Sequence, residues 1–384
     1  MLFWEKVLRS MIYRIDIENY KSIRKQEIQL DQLNILIGPN GSGKSNFISL
    51  FRFLEQLSDQ QLSNYVFQSG GINSLLYNGY EESRYLKVNL DLLQDNSSPF
   101  HNIYEFTISS DGETFRVEDE ALGFWDTQRF STAKMYPRST TPSQEAQIKV
   151  APYKDNVFKV ARYVYKYLKD LRLFHFHDTS DNTQMKLPQP IEDVYFFKPE
   201  GENIAPILLH FREKYYDYYQ RIIESTRLIY PLFHDFVLEE SPKAKGKIVL
   251  RWKERTSRQI FTAKQISDGT LRFICLATLL IQPPHTSYVP STIVLDEPEL
   301  GLHPFAIQVL SELLQKASLN KQIIVATQSV NLINYFRPED LLIVDRDEKG
   351  ATAFKRLHDK DFDAWLEDYS LGQLWENNFF GGRP

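Results

Sequence analysis

Residues 38 to 45 read Gly38-Pro39-Asn40-Gly41-Ser42-Gly43-Lys44-Ser45, and this stretch predicts a phosphate-binding loop. An apolar run of buried-strand type, residues 33–37, comes directly before it, and a helical pattern begins at Asn46. The glycines allow a tight turn whose N–H groups point into one anion-sized hollow. The N-terminus of the following helix adds partial positive charge to that hollow. We therefore expect Lys44 to reach the β- and γ-phosphates of a nucleotide and Ser45 to ligate Mg²⁺.

Length and composition set the outer bounds. A chain of 384 residues has room for two or three cores, and 42% hydrophobic with 25% charged residues is normal for a globular protein. The longest strongly apolar stretch, residues 273–281, is too short to cross a membrane, and no secretory signal is read at the start. Cys275 is the single cysteine, so no disulfide framework is expected. These features favour a cytoplasmic protein with no membrane partner. Both Met1 and Met11 remain candidate starts.

The charge pattern leaves a DNA partner open. A net charge of −5 and a pI near 6.0 give no overall basic footprint. Basic residues nevertheless gather between 154 and 172, with tyrosines among them. This stretch is either a solvated helix face whose aromatic side chains point inward, which we favour, or a nucleic-acid surface. The residues are Lys154, Lys159, Arg162, Lys166, Lys169 and Arg172, with Tyr163, Tyr165 and Tyr167.

A second cluster suited to chemistry lies about 250 residues downstream of the loop. The β-branched apolar run 291–295 ends in Asp296-Glu297-Pro298-Glu299. A carboxylate at the end of a buried strand is placed to hold Mg²⁺ opposite Ser45, and we assign that role to Asp296. Glu297 is then placed to polarise the attacking water. A surface turn is the alternative, but an apolar strand that leads directly into the acidic residues favours the catalytic interpretation.

The segment Ser267-Asp268-Gly269-Thr270 precedes an apolar helical pattern that runs through about Ile281. Ser267 is a helix-capping residue type, and Gly269 permits close approach of the backbone to a ligand. The segment is therefore a second helix N-terminus suited to phosphate. Alone it is a weak signal, because Ser-Asp-Gly is also a common turn sequence. Its place one helix before the Asp296 strand makes it specific.

In these motifs the chain resembles ATP-binding-cassette (ABC-type) ATPases of the RecF/SMC/OLD branch. Residues 267–270 look like the signature motif of that branch, and residues 296–299 look like its Walker B motif. Gly301-Leu302-His303-Pro304 is similar to the segment that follows Walker B. Ala326-Thr327-Gln328-Ser329 looks like the switch motif, with Gln328 where many cassettes carry His. Asn19-Tyr20-Lys21-Ser22-Ile23 resembles the segment that ends the first strand.

The resemblance implies an α/β fold, namely a P-loop ABC-type ATPase head with a mixed sheet, an antiparallel β lobe and a helical insertion. Residues 85–115 alternate apolar and polar side chains, which independently predicts antiparallel strands. A long amphipathic helix is predicted over 204–228. The expected parts are a first ATPase lobe (11–150), a mainly helical insertion (151–258), a second ATPase lobe (259–346) and a C-terminal tail (347–384).

The resemblance also implies the site residues. Glu297, Lys44 and Gln328 are the expected catalytic residues. The expected metal ligands are Ser45, Asp296 and Gln68, the last as a candidate Q-loop glutamine before Gly70 and Gly71. The expected ATP contacts are Asn40, Gly41, Ser42, Gly43, Lys44, Ser45 and Asn46 in the loop, Lys21, and Ser267, Asp268 and Gly269 in the signature segment.

The partners follow from the same resemblance. In that branch the signature helix contacts the ATP of the other subunit, so a homodimer that sandwiches two ATP molecules is expected, with higher oligomers left open. The tail is similar to short bacterial AAA-type ATPases that are commonly found in antiphage defence loci beside a separately encoded TOPRIM-like effector. A sensor or scaffold for such a nuclease or toxin is the favoured function. A RecF-like DNA repair ATPase is the alternative, and a transporter subunit is less favoured.

Two smaller clusters have competing interpretations. His175 and His177 stand at i, i+2, a spacing that could serve a metal, but no further Cys/His cluster accompanies them. We therefore favour a structural or nucleotide-adjacent role for both. Asp345 and Asp347 imitate a metal-binding D-x-D pair, and we interpret them as turn residues.

Overall fold

The computed structural model describes residues 10–94, 97–138, 143–149, 155–242, 244–283, 290–358 and 362–382. The strands are β1 Met11–Tyr20, β2 Ile23–Gln29, β3 Leu33–Ile37, β4 Tyr85–Leu93, β5 Phe100–Ser110, β6 Phe115–Asp126, β7 Lys134–Arg138, β8 Leu171–Phe174, β9 Gln189–Pro190, β10 Phe233–Phe236, β11 Glu240–Ser241, β12 Ala244–Ile248, β13 Arg251–Glu254, β14 Ile260–Thr262, β15 Thr292–Asp296, β16 Gln322–Thr327, β17 Leu341–Arg346 and β18 Thr352–Arg356. The helices are α1 Lys44–Asp59, α2 Leu62–Gln68, α3 Asp155–Asp170, α4 Ile204–Lys214, α5 Tyr216–Ile229, α6 Asp268–Leu280, α7 Pro304–Ser318, α8 Val330–Ile333, α9 Asp363–Leu366 and α10 Leu371–Glu376.

Two six-stranded sheets organise the molecule, as the predicted fold class requires. One is antiparallel, with the order β2-β1-β4-β5-β6-β7, and it confirms the predicted β lobe. The other is mixed, with the order β18-β17-β3-β16-β15-β8, and only its β17–β18 pair is antiparallel. Two small three-stranded sheets, β10-β13-β14 and β11-β12-β9, complete the β structure within the described ranges.

The central strands of the mixed sheet, β3, β15, β16 and β17, are buried on both faces, which explains why they read as largely continuous apolar runs. Successive residues of β3 enter different cores: Ile35 and Ile37 join one that contains α6 and α7. Leu36 joins the other, which contains α1 and the antiparallel sheet. Replacing a fully buried aromatic of that second core, such as Phe47, by Ala costs about 3–5 kcal/mol. The phosphate loop thus follows directly after a strand that is packed against a core on each face.

In its described residues, the stretch predicted as a mainly helical insertion, 151–258, contains short strands as well as helices. It carries α3, α4 and α5 together with six short strands, and β8 belongs to the mixed sheet. The single helix predicted over 204–228 is wrong, because the chain breaks at Tyr215, whose φ of −138° and ψ of 54° lie outside the helical region. The break falls in the run Tyr215-Tyr216-Asp217-Tyr218-Tyr219, whose residue types have modest helix propensity. Tyr215 instead packs on the rings of Phe211 and His210.

The basic stretch proves to be largely a helix face. Tyr167 of α3 is buried against the core of the antiparallel lobe, while Lys159, Arg162 and Lys166 are exposed. Lys169 pairs with Asp59, and Arg172 pairs with Glu55 at 3.3 Å. Lys154 lies outside the described residues. This arrangement agrees with the solvated-face interpretation.

No helix in the described part of the chain is long and apolar enough to span a bilayer.

The C-terminal segment returns to the base of the phosphate loop. Trp375 is fully buried, and its indole N–H donates to the carbonyl of Gly382. The N–H of Gly382 donates to Asp345 Oδ2 at 3.0 Å. A Cβ added at Gly382 would lie 2.7 Å from Ile343 Cγ2 and 3.7 Å from the Cα of Gly38. The tail is therefore packed against the mixed sheet, and Arg383 and Pro384 lie outside the described residues.

Candidate nucleotide-binding site

The phosphate loop is braced by the β17–β18 pair. Gly41 and Gly43 have φ values of +77° and +114°, which favour glycine. A Cβ added at Gly43 would lie 2.0 Å from Thr352 Oγ1, and one at Gly38 would lie 2.0 Å from the carbonyl oxygen of Val344. The Thr352 hydroxyl also donates to the Ser42 carbonyl at 2.8 Å. Gly38 is therefore needed for fit, Gly41 for the turn, and Gly43 for both.

Lys44 begins α1 and lies across the loop. Its ammonium donates to the carbonyls of Gly38 at 2.6 Å and Pro39 at 3.0 Å. Burial lowers the pKa of Lys44, and the carboxylates of Glu297 and Asp296 oppose that shift. The same two carboxylates are thus near enough to act on the Lys44 ammonium. The structure brings loop and acidic cluster together, as the sequence predicts.

The acidic cluster and the switch segment meet at the ends of β15 and β16. Glu297 follows β15 in the left-handed region, at φ 43°, and its N–H donates to the Ala326 carbonyl at 2.8 Å. The Gln328 side-chain amide donates to Glu297 Oε1 at 2.5 Å. Burial raises the pKa of Asp296, and the charge of Glu297 adds to that rise. Gln328 therefore fixes the carboxylate that is predicted to act on water.

Two cavities adjoin at the loop. The loop cavity, of about 130 Å³, is lined by residues 40–46, Gln328 and Arg346. The side cavity, of about 560 Å³, shares Asn46 and Arg346 with it and is otherwise lined by Lys21, Ser22, Ser69, Ser74, Leu76, Tyr77, Asn78, Gly79 and Gly350. Lys21 is half-buried and donates to Ser49 Oγ at 2.8 Å, and burial lowers its pKa. The two volumes together suit a molecule with a polyphosphate end and a nucleoside end.

Gln68, predicted as a metal ligand, does not line the loop cavity. It is exposed at the end of α2, and its amide donates to Asn64 of the same helix at 3.3 Å. The place next to the Asp296 strand is taken by β8, which pairs with β15 in parallel, Phe174 opposite Leu295. The residues that follow β8 are His175 and His177, and Gln68 does not line the loop cavity.

His177 lies beside the acidic cluster. Its Nε2 is 3.0 Å from the Asp296 carbonyl oxygen, and His175 Nε2 is 3.3 Å from Glu200 Oε1. Burial lowers the pKa of His175, and the charge of Arg52 adds to that effect. Within the described residues no three His, Cys, Asp or Glu side chains form a metal-binding group. The structural or nucleotide-adjacent role of this pair stays a prediction.

The signature residues lie apart from the loop cavity of their own chain. Ser267 caps α6 by accepting from the Thr270 N–H at 3.2 Å, and both Ser267 and Asp268 are exposed. Gly269 packs against the segment after β15, since an added Cβ would lie 2.4 Å from the Gly301 carbonyl oxygen. None of residues 267–269 lines the loop cavity. They form an exposed helix N-terminus at a different place on the same chain.

Arg272, one turn into α6, makes contacts that the sequence analysis did not predict. It is buried, and its guanidinium donates to the carbonyls of Phe176 at 2.8 Å, His177 at 3.2 Å and Leu300. These carbonyls belong to the segments after β8 and after β15. Arg272 thus links the signature helix to the acidic cluster. Its place directly after the signature segment is the only sequence signal that pointed to it.

Glu299 is a second missed residue. It is 9% exposed, and its carboxylate accepts a hydrogen bond from the Thr327 hydroxyl, which in turn accepts from the Ser329 N–H at 2.9 Å. Glu299 therefore holds the turn that presents Gln328. Burial raises the pKa of Glu299 to about 7.

Replacing Glu299 by Gln is expected to flatten the pH dependence of stability. The pKa of Glu299 is raised from 4.5, so the folded protein binds the proton more tightly than the unfolded chain. The free energy of unfolding therefore falls as pH rises from about 4.5 to about 7. Between pH 5 and 8 the wild type should lose up to about 3 kcal/mol more than Glu299→Gln. Urea denaturation at both pH values measures the difference, and parallel curves for the two proteins would contradict it.

The residues fit a magnesium ion. Ser45 lines the loop cavity, and Asp296 is half-buried at the end of a strand two positions away in the sheet. Both offer hard oxygen donors, and Mg²⁺ in nucleotide sites needs only one or two protein ligands because water and phosphate supply the rest. Ser45 and Asp296 would hold the ion, without Gln68.

Comparisons with solved structures agree with the fold. The chain is similar to a solved structure described as the "SmcHead bound to the C-winged helix domain of ScpA", at 15% identity over 91% of this chain and 99% of that one, with a TM-score of 0.60. It is also similar to an "Smc head domain with an extended coiled coil bound to the C-terminal domain of ScpA derived from Pyrococcus furiosus", at 17% identity over 94% and 99%, with a TM-score of 0.56. These likenesses confirm the predicted ABC-type ATPase head fold.

Sequence comparison identifies the family. None of the curated proteins matches the chain. A family model does match over residues 33–334, well over half of the length, and the matched region includes the loop, the signature segment, the acidic cluster and the switch segment. The chain therefore belongs to the ATPase family described as "AAA domain, putative AbiEii toxin, Type IV TA system".

Proposed function

We propose that this chain is a Mg²⁺-dependent ATPase that works as a nucleotide-gated homodimer and controls a separately encoded effector in a bacterial defence module. The observation that carries the ATPase proposal is the convergence at one sheet edge of Lys44, Asp296, Glu297 and Gln328. The side cavity next to the loop supplies room for the nucleoside.

The chemistry follows from this arrangement. Lys44 and the loop N–H groups stabilise the phosphate charge, and Mg²⁺, when bound, neutralises part of the rest. Glu297 accepts the proton of the attacking water as general base. The hydrogen bond from Gln328 holds the Glu297 carboxylate in place, and the turn that carries Gln328 is held by Glu299 through Thr327.

The dimer proposal rests on where the signature segment lies. Ser267 caps an exposed helix N-terminus, and none of residues 267–269 lines the loop cavity of the same chain. A helix N-terminus favours phosphate. Two copies facing each other would place each signature segment on the ATP of the other copy. The hydrogen bonds of Arg272 would connect each signature segment to the acidic cluster of its own chain.

The effector proposal rests on the family. Its description names a putative toxin of a type IV toxin–antitoxin system, which supports a role with a separately encoded partner. The exposed basic side chains of α3, Lys159, Arg162 and Lys166, are the observation that keeps DNA binding as the second candidate.

ATP-dependent dimerisation of Glu297→Gln is the test of gating. This variant should bind ATP without hydrolysing it, so light scattering after gel filtration with Mg²⁺ and ATP should show a dimer, and a monomer without ATP. Lys44→Ala should stay monomeric. Ser267→Arg should bind ATP yet stay monomeric, because its change lies on the exposed helix N-terminus. Thr256→Arg, an exposed change between β13 and β14, is the matched control.

Dimerisation of Glu297→Gln that is indifferent to ATP would overturn the gating proposal. The effector is tested by co-expression with the neighbouring gene: a stable hetero-complex that Lys44→Ala weakens supports the defence scaffold. A lone ATP-dependent dimer that binds DNA with strong salt dependence would instead favour the repair ATPase.

A further inference from the structure

Arg346 stands at the junction of the loop cavity and the side cavity. It is the last residue of β17, which pairs in parallel with β3, Ile343 opposite Ile37. Because carboxyl ends of parallel strands share one sheet edge, Arg346 is brought next to the phosphate loop. The packing there is tight, as the close approach of Val344 to Gly38 shows.

The guanidinium of Arg346 is held by two backbone carbonyls. Nε donates to the Gly41 carbonyl at 2.8 Å, and Nη1 donates to the Gly350 carbonyl at 2.7 Å. These bonds use two of the five N–H donors of the group. In the ranges that the structure describes, no ion pair involves Arg346, and its side chain is exposed. A positive charge with spare donors therefore faces the two cavities.

The position of Arg346 decides which part of a nucleotide it would meet. Residues 40–46 line the loop cavity, which suits the β- and γ-phosphates, and the side cavity suits the nucleoside. Among the described residues, Asn46 and Arg346 are the two that line both cavities. In a nucleoside triphosphate the group that joins those two halves is the α-phosphate. Guanidinium matches phosphate oxygens with two parallel N–H bonds.

We propose that Arg346 binds the α-phosphate of the nucleotide, exchanging its bond to the Gly41 carbonyl for phosphate oxygens. This inference rests on the proposed ATPase function and adds a residue outside the motifs that define the family match, since the matched region ends at 334. The contact makes affinity depend on a phosphate that ATP, ADP and AMP share.

The test measures the affinities of ATP, ADP, AMP and adenosine by competition with a fluorescent ATP analogue. Arg346→Gln should weaken ATP, ADP and AMP by the same factor, on the order of tenfold. Adenosine should bind as it does to the wild type. Arg346→Lys keeps the positive charge but loses the paired N–H donors of the guanidinium. We therefore expect its loss of affinity for ATP, ADP and AMP to lie between zero and the loss in Arg346→Gln. Arg258→Gln, the same change at an exposed site, is the matched control.

The outcomes separate this proposal from its alternatives. If Arg346 only pins the loop through Gly41, ATP and ADP will weaken more than AMP, and the α-phosphate assignment fails. Unchanged affinities in Arg346→Gln also overturn it, while wild-type binding that Lys44→Ala abolishes leaves the ATPase proposal standing. A wild type that binds no nucleotide overturns both. Thermal melting of each variant verifies that the fold is intact. If Arg346→Gln melts at a lower temperature than the wild type, the affinities of Arg346→Lys are compared with the wild type instead.

Discussion

Glu297→Gln should lower the rate of ATP hydrolysis about 100-fold or more, because the amide cannot accept the proton of the attacking water. ATP affinity should stay within a few-fold of the wild type, since the loop and Lys44 are untouched. The Gln oxygen can still accept the bond that Gln328 now donates to Glu297 Oε1 at 2.5 Å. Phosphate release at saturating ATP measures the rate, and titration with a fluorescent ATP analogue measures the affinity.

Glu312→Gln is the matched control for this prediction. Glu312 lies on α7 with its side chain 55% exposed, in an i, i+4 pair with Lys316. It should hydrolyse ATP at the wild-type rate. Normal turnover by Glu297→Gln with normal binding would show that another group activates the water, and His177, beside Asp296, would be the next residue to replace.

Gly43→Ala should destabilise the protein by about 3 kcal/mol or more and abolish measurable ATP binding. The added Cβ would lie 2.0 Å from Thr352 Oγ1, and φ at this position is +114°. Overpacking costs roughly 1–3 kcal/mol, and a left-handed conformation adds roughly 1–2 kcal/mol. Relief of the clash has to move the loop backbone away from Thr352, which also holds the Ser42 carbonyl. Urea denaturation and nucleotide titration measure the two effects.

Gly41→Ala separates the cost of backbone strain from the cost of the steric clash with Thr352. Gly41 has φ +77°, yet nothing lies within 4 Å of an added Cβ. Its cost should be limited to roughly 1–2 kcal/mol of backbone strain. In the double variant Gly43→Ala/Thr352→Ala part of the lost stability should return, because the 2.0 Å contact is removed. Equal destabilisation by Gly41→Ala and Gly43→Ala would show that the contact with Thr352 is unimportant.

Structural features that depend only on residues close together in the sequence were predictable. Residues 33–50 contain strand, glycine turn and helix in direct succession, and residues 291–299 contain an apolar strand followed by carboxylates. Each of these depends on neighbours within a few positions, so pattern and composition suffice. The alternation over 85–115 likewise predicted the antiparallel strands, which the structure shows as β4 and β5.

Features that depend on distant contacts were not predictable. Gln68 was chosen for its residue type and a following glycine pair, which carry no information on its neighbours in space, and the structure shows it exposed on α2 and outside the lining of the loop cavity. The break at Tyr215 depends on how aromatic rings pack, which a helical repeat does not record. Thr352 and Arg346 reach the loop only because β17 and β18 complete the sheet around β3, more than 300 residues later in the chain.

The strand order of the mixed sheet has a consequence for folding. β3 is flanked by β16 and β17, so its neighbours are made almost 290 and more than 300 residues after it. Contacts of such sequence separation form slowly, and apolar strands that wait for partners are prone to aggregation. The phosphate loop therefore acquires its final shape only when nearly all of the protein has been synthesised. Nucleotide binding would report completed folding of the whole head, and a chain truncated before residue 341 should never acquire it.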